Sequence, residues 1–324
     1  MPQKRRELIQ TISEMRKSSV ICYIGGDRQN VSTRVAPDII PVIYKHLEEM
    51  DNLEKIDLFL FTKGGDVHTP LRLVELIREY TEHFSVLVPY KAYSAGTLIC
   101  LGATELVMTK MGELSPVDPN VVSMFNPTDK ENAAAKLPIN VEDVYSFFTL
   151  AREAAGIPDE SMDDIFCTLV ENVHPLAIGG VQRTYSLIRS IAKKLLLCHM
   201  DAGQESLIDE IISNLTEKMF SHSYMISRRE AALSLKLPVS YCSPELEKVM
   251  WSLFTRYSHD LLLDVPFIPE RAANMSGEFS VCSGIIETVK RTDGYFFEGV
   301  IQKLNESQNN ICISNQGWEE IEEE

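Results

Sequence analysis

Phe84-Ser85-Val86-Leu87-Val88-Pro89-Tyr90-Lys91-Ala92-Tyr93-Ser94-Ala95-Gly96-Thr97 passes from an apolar, β-prone run through a turn into residues that open a helix at about Thr97. A serine in that turn has its oxygen exposed. The helix start behind it aims backbone N–H groups and the positive end of the macrodipole at any negative charge forming beside it. Upstream, Phe59-Leu60-Phe61-Thr62-Lys63-Gly64-Gly65-Asp66 repeats the layout: apolar strand, Gly-Gly turn, then a helix from about Pro70. Two such turns side by side would supply a nucleophile at Ser94 and an oxyanion hole from the backbone N–H groups of Gly65, or its neighbour Gly64, and Ala95.

The same alternation extends outward. Ser19 to Ile24 reads as a strand ending at Gly25-Gly26, and Ala36 to Met50 carries Ile39, Ile40, Val42, Ile43 and Leu47 at helical spacing. Ile56 to Phe61 is a near-continuous apolar run, as a parallel strand buried on both faces would be. Leu71 to Phe84 is amphipathic, and Glu105 to Thr109 reads as a further strand. The pattern predicts an α/β fold of repeated strand-turn-helix units around a largely parallel sheet. Ser123 to Pro138 breaks the rhythm as a loop or insertion, and helical patterns follow over Val141 to Ala155, Met162 to Val170, Val181 to Met200 and Ser206 to Phe220. After Pro269 the chain turns β-prone (Ser280 to Thr288, Tyr295 to Leu304, Ile311 to Ser314), with Thr292-Asp293-Gly294 as a hairpin signal. The expected organisation is an N-terminal helical leader over 1–18, a main domain over 19–268, and a small β-rich module with an acidic tail over 269–324.

The 324 residues carry 31 basic and 47 acidic side chains, a formal charge of −16, which argues against nucleic acid as a partner. The seven cysteines show no CxxC spacing or histidine pairing, so they predict a reducing cytoplasm, small core residues and no metal site. No run is apolar for the length a bilayer requires, and Met1 to Lys17 lacks the apolar stretch of a signal peptide. A soluble cytoplasmic protein, away from membranes, is expected. There is no phosphate loop, and Gly25-Gly26 lacks the remaining glycine of a dinucleotide fingerprint, so no cofactor is expected.

Ser94-Ala95-Gly96-Thr97-Leu98-Ile99, with Gly64-Gly65 before it and Ser115-Pro116-Val117-Asp118-Pro119 after it, resembles the ClpP/crotonase superfamily. Within it the chain is most similar to the serine dehydrogenase proteinases, relatives of the Clp proteolytic subunit and of signal peptide peptidase A. Ser221-His222-Ser223-Tyr224-Met225-Ile226-Ser227, Glu230-Ala231 and Leu235-Lys236-Leu237-Pro238-Val239 extend the resemblance, which covers roughly residues 20–240. Two features depart from the family: Ser223 stands where it has Asp, and its common transmembrane leader is missing.

The resemblance implies a serine endopeptidase acting on a peptide or protein substrate as a homo-oligomer, with a triad ordered Ser94, Asp118, His222. A serine hydroxyl needs a base, and His222, Lys136 and His174 are the candidates. Relatives in membranes use a Ser-Lys dyad, which points to Lys136; His174 precedes Pro175 and an expected Gly179-Gly180 turn. Against these roles stand a helix cap at Ser94, a turn former at Asp118 and a structural histidine at His222. A Clp-like scaffold without chemistry, binding peptides or partners, is the alternative function. Acyl-CoA chemistry is a third, and would need carboxylates such as Glu105 or Glu113 near the two turns.

Overall fold

The computed structural model describes residues 2–117, 120–129, 132, 134–217, 224–305 and 308–322. Helix α1 (Pro2–Arg16) leads into β1 (Ser19–Gly25). The chain then alternates through α2 (Ile39–Glu49), β2 (Lys55–Phe61), α3 (Thr69–Arg78), β3 (His83–Val88), β4 (Lys91–Ala92), α4 (Ala95–Leu101), β5 (Glu105–Met108) and β6 (Glu113–Leu114). An antiparallel pair, β7 (Asn120–Val121) and β8 (Ile139–Asn140), precedes α5 (Val141–Thr149), a π turn (Leu150–Ala154), α6 (Met162–Asn172), α7 (Pro175–Leu197) and α8 (Glu205–Thr216). Then come β9 (Ile226–Ser227), α9 (Arg228–Leu233), β10 (Val239–Tyr241), α10 (Pro244–Asp260), α11 (Pro269–Ala272), β11 (Glu278–Glu287), β12 (Thr292–Asn305) and β13 (Gln308–Glu320).

The chain forms two compact units, one of Met1–Ser115, Leu195–Asp201 and Met225–Glu324, the other of Pro116–Lys194 and Ala202–Tyr224. The first holds an eight-stranded sheet in the order β10-β5-β3-β2-β1-β11-β12-β13. From β10 to β1 the strands are parallel, and β11 joins β1 antiparallel, followed by β12 and β13. The apolar runs explain the parallel part, since β1 and β2 are buried along nearly their whole length. On one face Val20, Cys22, Ile24, Phe59, Phe61 and Leu87 meet Ile9 and Ile12 of α1 and Met250, Leu253, Phe254 and Tyr257 of α10. The alternate residues Ile21, Tyr23, Leu58 and Leu60 point to the other face and are buried as well.

Helix α1 is thus part of the core. Its Arg5 donates to both Glu287 oxygens (2.7 and 3.1 Å) and bonds Asp260, while Tyr257 OH (2.6 Å) and Thr292 Oγ1 (2.9 Å) also donate to Glu287. Arg5→Ala leaves the Glu287 carboxylate buried without its cation, so urea unfolding is expected to show a loss of about 3–5 kcal/mol.

Two sequence expectations are corrected. Thr292-Asp293-Gly294 is not the hairpin turn but the start of β12; the turn is Thr288 to Arg291, closed by Thr288 N–H to Arg291 O at 2.9 Å. Asp293 is buried and satisfied by Arg291 Nε at 2.6 Å, so it does not serve as a turn former. Gly179-Gly180 is not a turn but lies inside α7, where the packing of Ala177, Val181 and Ile188 overrides the low helix propensity of glycine.

In the second unit Val141, Ala177, Val181, Ile208, Ile211 and Leu215 are buried. The described part of 123–138 is organised around buried Asn126, whose Oδ1 accepts from Ser123 and whose Nδ2 donates to Val121 O (2.7 Å) and Leu137 O (3.0 Å). Among the described residues, no helix is long and apolar enough to cross a membrane.

Candidate active site

Just beyond the carboxyl ends of β2 and β3, Thr62 and Ala92 form a parallel bridge. Thr62 N–H donates to Lys91 O at 2.9 Å and Tyr93 N–H to Thr62 O at 3.0 Å, fastening the two turns together. Gly64 has φ 102°, and a Cβ there would lie 2.8 Å from both Ser94 Cβ and Tyr93 O, so the turns touch at a position only glycine fills. Gly65 lies against the backbone of Val35, where Val35 N–H donates to Gly64 O (3.0 Å) and Asp66 N–H to Val35 O (2.7 Å). Asp66 Oδ2 accepts from His68 N–H, Thr69 N–H and Thr69 Oγ1 within 3.0 Å and starts α3. The Gly-Gly turn is therefore tied at both ends.

Ser94 sits at φ 51°, ψ −110°, a conformation that costs a non-glycine residue about 1–3 kcal/mol and persists only where its surroundings impose it. Ser115 and Thr97 impose it. Ser94 N–H donates to Ser115 Oγ at 2.8 Å, Thr97 Oγ1 lies 2.9 Å from both Ala92 O and Ser115 O, and Ser115 N–H donates to Thr97 Oγ1 at 3.2 Å. The Ser94 side chain makes no capping bond to α4, which removes the bland explanation of a serine at a helix start. Among the described residues, no hydrogen-bond partner meets Ser94 Oγ or the N–H groups of Gly65 and Ala95. The arrangement leaves a hydroxyl and two backbone donors available to a ligand. Ser115 is the residue that sequence reasoning passed over. Its signal was the Ser115-Pro116-Val117 segment, read only as a family mark.

The other candidates have contacts of their own. Lys136 is exposed, and its Nζ donates to Thr128 Oγ1 at 2.9 Å. Exposed His174 accepts from Leu176 N–H at 3.1 Å at the start of α7, and its ring stacks on Phe125 at 4.8 Å. Asp118 and His222 lie outside the described residues. Glu113 accepts from Tyr93 OH at 2.8 Å, beside Ser94 in sequence.

Glu105 opens β5, at the opposite edge of the parallel sheet from the two turns, and so is not placed to act as an acyl-CoA base. Burial pushes its carboxyl up, but Arg16 (Nη2 at 2.6 Å) and the charge of Lys55 more than offset this and hold it at about 2. The folded value is below the ordinary one, so this pairing stabilises fully above about pH 4.5 and is lost as the pH falls toward 2. The stability gap between the native protein and Glu105→Gln is therefore expected to close over that window in urea unfolding. Burial also pushes the Cys22 and Cys100 thiols up, away from nucleophilic service. Among the described residues, no group of three or more His, Cys, Asp or Glu could hold a metal ion.

A family model described as ClpP-like SDH-type serine proteinase matches residues 1–155, the segment that contains both turns. The uncharacterized protein MJ0137 of Methanocaldococcus jannaschii is 31% identical over 263 residues, covering 77% of this chain and 78% of that protein. The uncharacterized protein MJ1495 of the same organism is 32% identical over 130 residues, 36% of this chain and 42% of that one. With the parallel strands β1, β2, β3 and β5, the Gly-Gly turn and Ser94 at the head of α4 inside the matched segment, the chain belongs to the ClpP-like, SDH-type serine proteinase family.

Proposed function

We propose that the protein is a serine endopeptidase that cleaves peptides or proteins through a Ser94 acyl-enzyme. The strained backbone of Ser94, held by Ser115 and Thr97 against Gly64 while its side chain caps nothing, carries this reading. Ser94 Oγ attacks the carbonyl carbon, and the oxyanion that forms accepts from Gly65 N–H and Ala95 N–H at the positive end of α4. The base is His222, oriented by Asp118. It takes the Ser94 proton as the O–C bond forms and returns it to the leaving amine as the C–N bond breaks; water then hydrolyses the ester by the same route.

The order of the motifs, Ser94 then Asp118 then His222, is what the family resemblance implies for the triad, and it carries that choice of base. Asp118 follows shortly after Ser115, which holds the Ser94 N–H. No metal or cofactor is required for these steps.

The protein acts as a cytoplasmic homo-oligomer in this reading. Amphipathic α6 buries none of its residues, and Phe166 is 48% exposed, a surface that self-association would cover. Light scattering is expected to give a mass that is a multiple of 36.6 kDa.

A fluorophosphonate probe tests the chemistry. One adduct per chain is expected, mapped by mass spectrometry to the peptide containing Ser94, with labelling slowed in His222→Ala. No labelling of a cooperatively folded native chain would remove the peptidase reading and leave a Clp-like scaffold that binds peptides.

A further inference from the structure

The carboxyl ends of the parallel strands carry a second feature, on the α10 side of the sheet. A cavity of about 590 Å³ is walled by Phe61, Tyr90, Trp251 and Phe254, with Asp27, Lys63 and Lys91 among its lining. Asp27 follows β1, Lys63 follows β2, and Tyr90 and Lys91 follow β3; open α/β sheets take their ligands at this edge. The rings make one continuous wall, with Phe254 at 4.9 Å from Phe61, 5.6 Å from Tyr90 and 5.4 Å from Trp251. Trp251 remains 39% exposed, so the wall is open to a ligand.

The charged groups of the lining divide into a Lys63–Asp27–Lys91 cluster and a separate Asp264. Asp27, nearly buried, lies 3.2 Å from Lys63 Nζ and 3.6 Å from Lys91 Nζ. Two ammonium groups share one carboxylate, so the cluster keeps one positive charge, and Lys63 presents it at 57% exposure. Lys91 Nζ also lies 4.6 Å from the centre of the Tyr90 ring, which places the cation at the edge of the aromatic wall. Asp264, the other lining carboxylate, is approached by Ser258 Oγ at 3.5 Å on the loop after α10.

We infer that this cavity binds the C-terminus of a peptide chain ending in a bulky apolar residue, its side chain against the rings and its α-carboxylate at Lys63 and Lys91. A carboxylate on the pair of ammonium groups and a large side chain on an aromatic wall are complementary to the two halves of the cavity. The inference rests on the peptidase reading in taking peptides as the ligand class. Lys63 directly precedes Gly64-Gly65, and Lys91 leads through Tyr93 to Ser94, so a chain anchored here begins at the approach to both turns. The pocket would then select substrates by their free end.

The test is binding, read apart from hydrolysis. The Ser94→Ala protein carrying Trp318→Phe, with Trp251 as its remaining tryptophan, is titrated by fluorescence with a hexapeptide ending in Phe. The free acid is expected to bind at least tenfold tighter than its C-terminal amide. Lys63→Gln with Lys91→Gln should erase that difference, and ending the peptide in Ser should weaken binding. Equal affinity for acid and amide, or no binding to the folded protein, overturns the inference. Loss of binding while Ser94 of the native chain still takes the fluorophosphonate leaves the peptidase reading intact. Binding without labelling keeps the pocket and removes the chemistry.

Discussion

Ser94→Ala is expected to abolish fluorophosphonate labelling and to lower peptide hydrolysis by at least about 10⁴-fold, while leaving the unfolding free energy within about 0.5 kcal/mol. The hydroxyl contributes no hydrogen bond among the described residues and caps nothing, so its removal touches chemistry and not packing. Ser94→Gly separates the two roles further. It removes the same hydroxyl, but glycine accepts φ 51°, ψ −110° at no steric cost, which relieves about 1–3 kcal/mol of strain against about 0.5–1 kcal/mol of added chain entropy. An inactive variant as stable as the native protein or more so is therefore expected. Calorimetry beside a peptide-cleavage assay checks both, and residual turnover in a Ser94→Ala protein free of native contamination would place the nucleophile elsewhere.

Gly65→Ala is the second large effect. The new Cβ would lie 2.1 Å from Val35 O and 2.7 Å from Val35 N, and backbone on both sides cannot yield without breaking the Val35 bridge. Hydrogen bonds from Val35 N–H to Gly64 O and from Asp66 N–H to Val35 O are then lost or lengthened. Overpacking of this kind costs about 1–3 kcal/mol of stability, and displacement of one oxyanion donor costs about 10²–10³ in kcat. The signature is a fall in kcat with KM little changed, because the donor acts on charge that exists only in the transition state. If Gly65→Ala folds normally and raises only KM, the turn holds substrate and not the oxyanion.

Local signals carried far along this chain. The switch from continuous apolar strands to helical spacing marked β1, α2, β2, α3 and β3 within a few residues, because strand burial on both faces and helix amphipathicity are written in adjacent positions. Gly64-Gly65 and the Ser94 turn were legible for the same reason: each is a change of backbone direction between two such runs. What was not legible depended on partners distant in sequence. The hydroxyl of Ser115 reads as one more turn residue until the fold brings it to the Ser94 N–H. The three C-terminal strands were visible as strands, but a β-prone run does not state its neighbour, and β11 pairs with β1 across most of the chain. Thr292-Asp293-Gly294 looked like a turn because its residue types suit one, yet a buried ion pair with Arg291 draws Asp293 into the strand.

The sequence by itself determined the alternating α/β architecture, the two glycine- and serine-bearing turns and the family, since these follow from local periodicity and turn chemistry. Only the tertiary structure decided that the turns touch, that Ser94 is strained and uncapped, that α1 belongs to the core and that an aromatic, lysine-edged cavity opens beside the site. Those depend on which strand ends the parallel sheet brings into register, a long-range arrangement paid in chain entropy and recovered by burial of the core.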